Sequence, residues 1–207
     1  MSDQFFNFYE LEIHEKPLKE TVFVALDFET TGLYPAVDRV IEAGLVKFTL
    51  KGVQETYETY VNPQQPLPAE ASRISGITDE DLSGAPSMDM VFPRLKEMME
   101  NCVILAHNLN FDYGFLSAEA ARLGETVSLK WGIDTVALAK TVYKGFPSYS
   151  LQNLASSLGL ETFRAHRALD DARLCGELFL SCLSKIENSS EMLVEELFRL
   201  SQTRFRK

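Results

Sequence analysis

The segment Cys102–Ala106, Cys-Val-Ile-Leu-Ala, is apolar at every position. Successive side chains of a strand point to opposite faces of the sheet, so such a strand has no face for water and needs cover on both sides. Helices provide that cover in an α/β architecture, and the surrounding sequence supplies them. Thr21–Phe28, Thr-Val-Phe-Val-Ala-Leu-Asp-Phe, predicts a first strand. Arg39–Asn62 mixes β-branched, aromatic and polar residues around a Lys51-Gly52 turn, which predicts two antiparallel strands extending the first into a meander. Helices are predicted over Ser72–Leu82 and over Met88–Glu100, the latter with Val91, Leu95 and Met98 on one stripe. After Cys102–Ala106 come helix signals at Phe111–Leu123, a strand near Leu129–Ile133, and helices at Thr135–Tyr143, Leu151–Leu158 and Ala168–Ser184.

Three stretches follow from this reading. Residues 1–19 lack a clear period, are set off by Pro17, and read as an appended segment; residues 20–185 form the α/β body. Residues 186–207 hold an Asn188-Ser189-Ser190 break, a final amphipathic helix and a basic tail, Thr-Arg-Phe-Arg-Lys.

The chain carries 20 Lys and Arg against 30 Asp and Glu, a formal net charge of −10. Coating duplex DNA requires many phosphates to be neutralised by Lys and Arg, so this balance argues against that mode. It leaves room for a pocket of acids in which divalent ions are the local attractors of phosphate. The apolar runs stop short of the roughly 18 residues that a membrane span needs. The opening Met-Ser-Asp-Gln-Phe-Phe lacks the positive start and apolar stretch of a secretory signal, so a cytoplasmic protein without membrane contact is expected. Cys102, Cys175 and Cys182 are odd in number, lie among apolar residues and read as core thiols.

Four acids and one histidine stand out. Asp27 and Glu29 lie two apart at the end of the first strand and share a face. Like charges held so close disfavour ionisation unless a cation lies between them, which makes a divalent metal the natural third party; a solvated strand end is the plainer alternative. The Thr30-Thr31-Gly32 turn that follows can offer backbone N–H groups to a phosphate or sugar. Asp112 falls near a helix N-terminus after a buried strand, where open α/β sheets place their ligands, although the helix dipole alone would also favour an acid there. In the helix from Ala168, the positions Ala168, Asp171, Cys175, Leu178 and Cys182 form the apolar stripe, while Asp170 aligns with Arg173 and Glu177 on a polar face. A carboxylate on a buried stripe needs a partner, either a metal or an arginine such as Arg164 or Arg122. His166, five residues before Asp171, suits a loop position leaning over the same site, where a histidine can accept a proton.

With these residues in place, the chain resembles the DEDDh, or DnaQ-like, 3′-to-5′ exonuclease superfamily. It looks especially like the proofreading, epsilon-subunit-type exonuclease domains of bacterial DNA polymerase III. The resemblance rests on Asp27-Phe28-Glu29-Thr30-Thr31-Gly32, on His107-Asn108 with Phe111-Asp112, and on His166 with Asp171. Ile74-Ser75-Gly76-Ile77-Thr78 and Tyr149-Ser150-Leu151 are similar to further family segments, and the likeness spans about residues 20–185.

That resemblance implies an RNase H-like α/β fold, a mixed five-stranded sheet flanked by helices. It implies two divalent ions, Mg²⁺ or Mn²⁺, held by Asp27, Glu29, Asp112 and Asp171, with His166 as the base. The implied reaction is hydrolysis of the terminal phosphodiester at single-stranded or frayed DNA 3′ ends, releasing nucleoside 5′-monophosphates in proofreading or repair, with a DNA polymerase subunit as partner. Thr30, Leu33, His107, Asn108 and Phe111 are candidate substrate contacts, Phe111 fitting the core better than a stacking platform. Two alternatives stand beside this reading. One is an exoribonuclease, since the motifs serve both sugars. The other is a non-catalytic module docking through Phe5, Phe6, Phe8 and Tyr9, against which the complete acid set argues.

Overall fold

The computed structural model describes residues 5–7, 11–129, 131–161 and 165–201. Its strands are β1 (Phe5–Asn7), β2 (Phe23–Thr30), β3 (Val40–Thr49), β4 (Gly52–Tyr60), β5 (Val103–Ala106), β6 (Thr126–Ser128) and β7 (Ile133–Asp134). Its α-helices are α1 (Ala69–Ser75), α2 (Asp79–Ser83), α3 (Met88–Met99), α4 (Leu109–Arg122), α5 (Thr135–Val142), α6 (Leu151–Leu158), α7 (Ala168–Leu183) and α8 (Val194–Ser201).

The main sheet has five strands in the order β4-β3-β2-β5-β7, mixed as expected: β2 runs antiparallel to β3 and parallel to β5. Odd-numbered residues of β2 face α7, since Phe23 meets Phe179 at 4.9 Å between ring centroids and Gly176 lies over Ala25. Val103–Ala106 is buried throughout, which is why every position of that strand is apolar.

Several boundaries move. The helix expected over Ser72–Leu82 is two short ones, because Gly76 takes a left-handed conformation (φ 72°) that closes α1, and Thr78 begins α2 with a reciprocal capping box to Asp81. The strand expected near Leu129–Ile133 is two short ones, β6 just before it and β7 beginning at Ile133. β6 leaves the main sheet to pair in parallel with β1, and β7 adds the last strand beside β5. The first residues also join the body: Ile13 and Leu18 are buried in the same core as Val194, Leu197 and Phe198 of α8. The Leu18 N–H donates to Met192 O and the Val194 N–H to Lys16 O, so the two ends of the described chain lie side by side. Phe8, Tyr9 and the basic Thr203–Lys207 tail fall outside the described residues. All three cysteines are buried and unlinked. No described helix is long and apolar enough to cross a membrane.

Candidate active site

β2 outruns its parallel neighbour. The pairing of β2 with β5 stops at Ala25 and Leu105, so the last residues of β2 project past the carboxyl end of β5. The Phe28 N–H in this overhang donates to Asp112 Oδ1 at 3.1 Å, which fixes the first turn of α4 against the strand end. Asp27 and Glu29 stand on the α7 side of the same overhang. A register shift between Glu29 and Thr30 bends the strand pair there, as bulges next to sites commonly do.

The fourth acid comes from α7, and a glycine lets it come close. Gly44 pairs with Asp27 across the β2–β3 ladder, and a Cβ on Gly44 would fall on the backbone of Ala168 and Leu169. The start of α7 therefore sits directly on β3. The Asp171 carboxylate, buried at 9% exposure, accepts Gln152 Nε2–H at 2.8 Å on Oδ1 and the His166 backbone N–H at 2.8 Å on Oδ2. Asp170, one residue away, lies 3.5 Å from Arg173. Of the arginines weighed as partners for Asp171, Arg122 is engaged with Glu119 and with the Pro35 and Asp38 carbonyls, and Arg164 falls outside the described residues. His166 is exposed and takes φ 62°, which costs a non-glycine residue on the order of 1 kcal/mol. One ligand atom each from Glu29, His166 and Asp171 lies within 4.8 Å of the others.

The acids raise one another's pKa. Burial, then the charges of Asp112, Asp171 and Glu29, push Asp27 well above the usual carboxylate range. Burial and the charges of Asp171 and Glu42 raise Glu29 to about 7, with Arg167 opposing them. Burial also raises Asp112, against the Phe28 N–H that favours its ionised form, and raises Asp171 against the His166 N–H. Among the described residues, no side-chain hydrogen bond or ion pair relieves this repulsion at the Asp27 carboxylate, and at Glu29 only the Arg167 charge offsets it. A set of hard oxygen donors with one imidazole beside it fits Mg²⁺ or Mn²⁺, whose charge would supply the missing compensation.

The remaining sequence candidates take varied places. The Thr30 hydroxyl donates to Gly32 O at 2.6 Å, closing the turn after Glu29. Leu33 is 72% exposed on that turn. Asn108 is exposed in a left-handed conformation at the head of α4. Phe111 packs on Phe115 at 5.0 Å, so its ring serves the core. Both ring nitrogens of His107 are engaged within the protein: Nε2 donates to Tyr149 O and Nδ1 lies 2.9 Å from Thr135 Oγ1. The carbonyl can only accept, so Nε2 carries the proton. His107 thereby ties the segment leading into α6 to the end of β5.

Two neighbours escaped sequence reading. Gln152 gives no local sign, being one polar residue of an amphipathic helix. Glu42 gives one: it is an acid inside Val40-Ile41-Glu42-Ala43-Gly44-Leu45-Val46, an apolar strand, and it proves to be fully buried and paired with Arg167.

The family model described as Exonuclease matches residues 24–179. The DNA polymerase III subunit epsilon of Treponema pallidum is 38% identical over 174 residues, covering 83% of this chain and 79% of that protein. The DNA polymerase III PolC-type protein of Thermotoga maritima is 40% identical over 187 residues, but this chain spans only 13% of its length. Among solved structures, the nuclease domain of 3′hExo, a DEDDh family member bound to rAMP, superposes with a TM-score of 0.72 at 19% identity, over 83% of this chain and 95% of that one. Exonuclease X in complex with 5′ overhanging duplex DNA gives 0.67 at 22% identity, over 86% and 99%. These last two likenesses speak to the fold.

Proposed function

The chain belongs to the exonuclease family, as a 3′-to-5′ exonuclease of the DNA polymerase III epsilon and PolC type, and from that premise we propose that it trims unpaired DNA 3′ ends in proofreading. The observation that carries this reading is the gathering of Asp27, Glu29, Asp112 and Asp171 at the carboxyl end of β2, with raised pKa values and His166 beside them. Two divalent ions held by these carboxylates would stabilise the attacking and leaving oxygens of an in-line displacement at the last phosphodiester. Asp27, central to the cluster, and Glu29 point into the site from β2; Asp112 and Asp171 close it from the heads of α4 and α7.

His166 accepts the proton of the attacking water, and its exposed position leaves the ring open to the incoming strand. Leu33 and Asn108, both exposed at the mouth, meet the terminal nucleotide, and the Thr30–Gly32 turn fixes their approach. The opened phosphodiester leaves as a nucleoside 5′-monophosphate. A base must be unpaired to enter, which suits a frayed or mismatched primer end. Similarity to an epsilon subunit supports a polymerase III subunit as the partner.

The test is a time course on matched 5′-labelled single-stranded DNA and RNA, with Mg²⁺ or Mn²⁺ and with a chelator. Stepwise shortening of DNA that ceases on chelation is the expected result. Preference for RNA would move the protein to RNA processing, and no cleavage of either strand would overturn the catalytic reading.

A further inference from the structure

β3 carries two buried ion-pair anchors, one for each helix that brings an acid to the site. At its start, Arg39 forms a two-pronged pair with Glu119 of α4 at 2.9 and 3.1 Å, and the Val40 N–H donates to the same carboxylate. Three residues further along β3, the buried Glu42 accepts Arg167 Nε–H at 3.0 Å and Nη2–H at 2.6 Å on Oε1, and the Ala168 N–H at 3.0 Å on Oε2. The Arg167 guanidinium also lies over the Tyr60 ring, 5.4 Å from its centroid, and 3.5 Å from the Glu58 carboxylate. Arg167 directly follows His166, whose backbone is held at positive φ.

The two anchors differ in what they fix. The Glu119 anchor holds α4 about two turns from Asp112. The Glu42 anchor grips the two residues after His166, in the seat that Gly44 leaves open. With the His166 N–H bound to Asp171 on one side and Arg167–Ala168 bound to Glu42 on the other, His166 is clamped at both flanks. A flexible loop would release the positive φ; the clamp does not allow it.

We propose that Glu42 and Arg167 are positioning residues for His166: they act on the reaction by holding the backbone that aims the imidazole over Glu29 and Asp171. This rests on His166 being the base, as proposed above. Glu42 faces Glu29 across the β2–β3 ladder, and its charge is matched by Arg167, so the clamp keeps one more acid from adding to the site unpaired.

The test is a double-mutant cycle on the full chain, reading kcat and KM on a single-stranded oligonucleotide with Mg²⁺. Glu42→Gln keeps the side-chain shape and removes the charge; Arg167→Lys removes the fork and serves where Glu42→Gln fails to fold. The expected result is a fall in kcat of about tenfold or more in either single variant, the range typical of residues that orient a reacting group through another, with KM within about twofold. In a His166→Ala background the same substitutions lower kcat no further. Glu119→Gln, which loosens the other anchor, lowers kcat by the same factor with or without His166.

Equal losses from Glu42→Gln in both backgrounds would overturn the proposal while leaving His166 as the base. A His166→Ala enzyme as fast as the parent would overturn the base assignment and the clamp with it.

Discussion

The Asp171 carboxylate accepts the backbone N–H of His166 at 2.8 Å, so the acid closing the site and the residue proposed as its base are joined through the main chain. Replacing Asp171 therefore removes a proposed metal ligand and loosens the His166 backbone together. Asp171→Ala is expected to lower turnover on the order of 10²–10³-fold or beyond, the loss seen when a single electrostatic stabiliser of a transition state goes. Asp170→Ala, which breaks only the 3.5 Å pair with Arg173, is expected to stay within about threefold, as peripheral substitutions do. Steady-state rates at equal folded fraction decide between them, and comparable losses in both variants would contradict the face assignment.

Gln152 reaches the same carboxylate from α6, donating to Oδ1 at 2.8 Å. Partners that orient a metal-binding carboxylate carry about 10–100-fold of affinity or rate. Gln152→Leu is expected to weaken Mn²⁺ binding within that range, measured by titration calorimetry, with the melting temperature little changed. Unaltered affinity would show that Asp171 is oriented by the His166 N–H alone.

Without metal, the acids act against the fold. Glu29 is raised to about 7 from an ordinary 4.5. A carboxyl whose folded pKa lies above its unfolded value takes up protons on folding, so it favours the native state below about pH 4.5 and loses that contribution as pH rises toward 7. Asp27, Asp112 and Asp171 shift in the same direction. The melting temperature in chelator is therefore expected to fall between about pH 5 and pH 8, and added Mg²⁺ or Mn²⁺ to restore it more at pH 8 than at pH 5. A metal-induced gain that is equal at both pH values would show that the acids do not share one cation site.

Gly44→Ala tests the seat of α7. A Cβ there would fall on the Ala168 and Leu169 backbone, and the helix start cannot yield as a flexible side chain would. Overpacking of this kind costs about 1–3 kcal/mol or more. A lower melting temperature is expected, together with a loss of activity larger than the stability change explains, since Asp171 and His166 move with the helix. An unchanged melting temperature and rate would show that β3 and α7 do not pack this closely.

Much of this was legible in the sequence because it is local. The period of two sets Asp27 and Glu29 on one face, and the period of 3.6 separates Asp171 from Asp170. An apolar run at Val103–Ala106 requires helices on both sides. What could not be read depends on partners far along the chain. Gln152 meets Asp171 across 19 residues and Arg167 meets Glu42 across 125, and no local pattern encodes either pair. The first residues were misleading for the same reason: Phe5–Asn7 becomes a strand only by pairing with Thr126–Ser128, and Ile13 and Leu18 find their core against α8. His107 reads as a candidate substrate contact from its place beside the pocket, and its pairing with Thr135 and Tyr149 depends on residues 28 and 42 positions away.

Hydrolysis of the last phosphodiester at a DNA 3′ end is the reaction proposed for the cluster of Asp27, Glu29, Asp112 and Asp171. The most direct measurement follows a single-stranded DNA labelled at its 3′-terminal nucleotide, with Mg²⁺, in the parent protein and in Asp27→Asn. The label is expected to leave as a nucleoside 5′-monophosphate from the first turnover, and Asp27→Asn to abolish its release. Label retained on longer 3′-terminal fragments, label released as a free nucleoside with the phosphate left on the shortened chain, or undiminished release by Asp27→Asn would overturn that assignment.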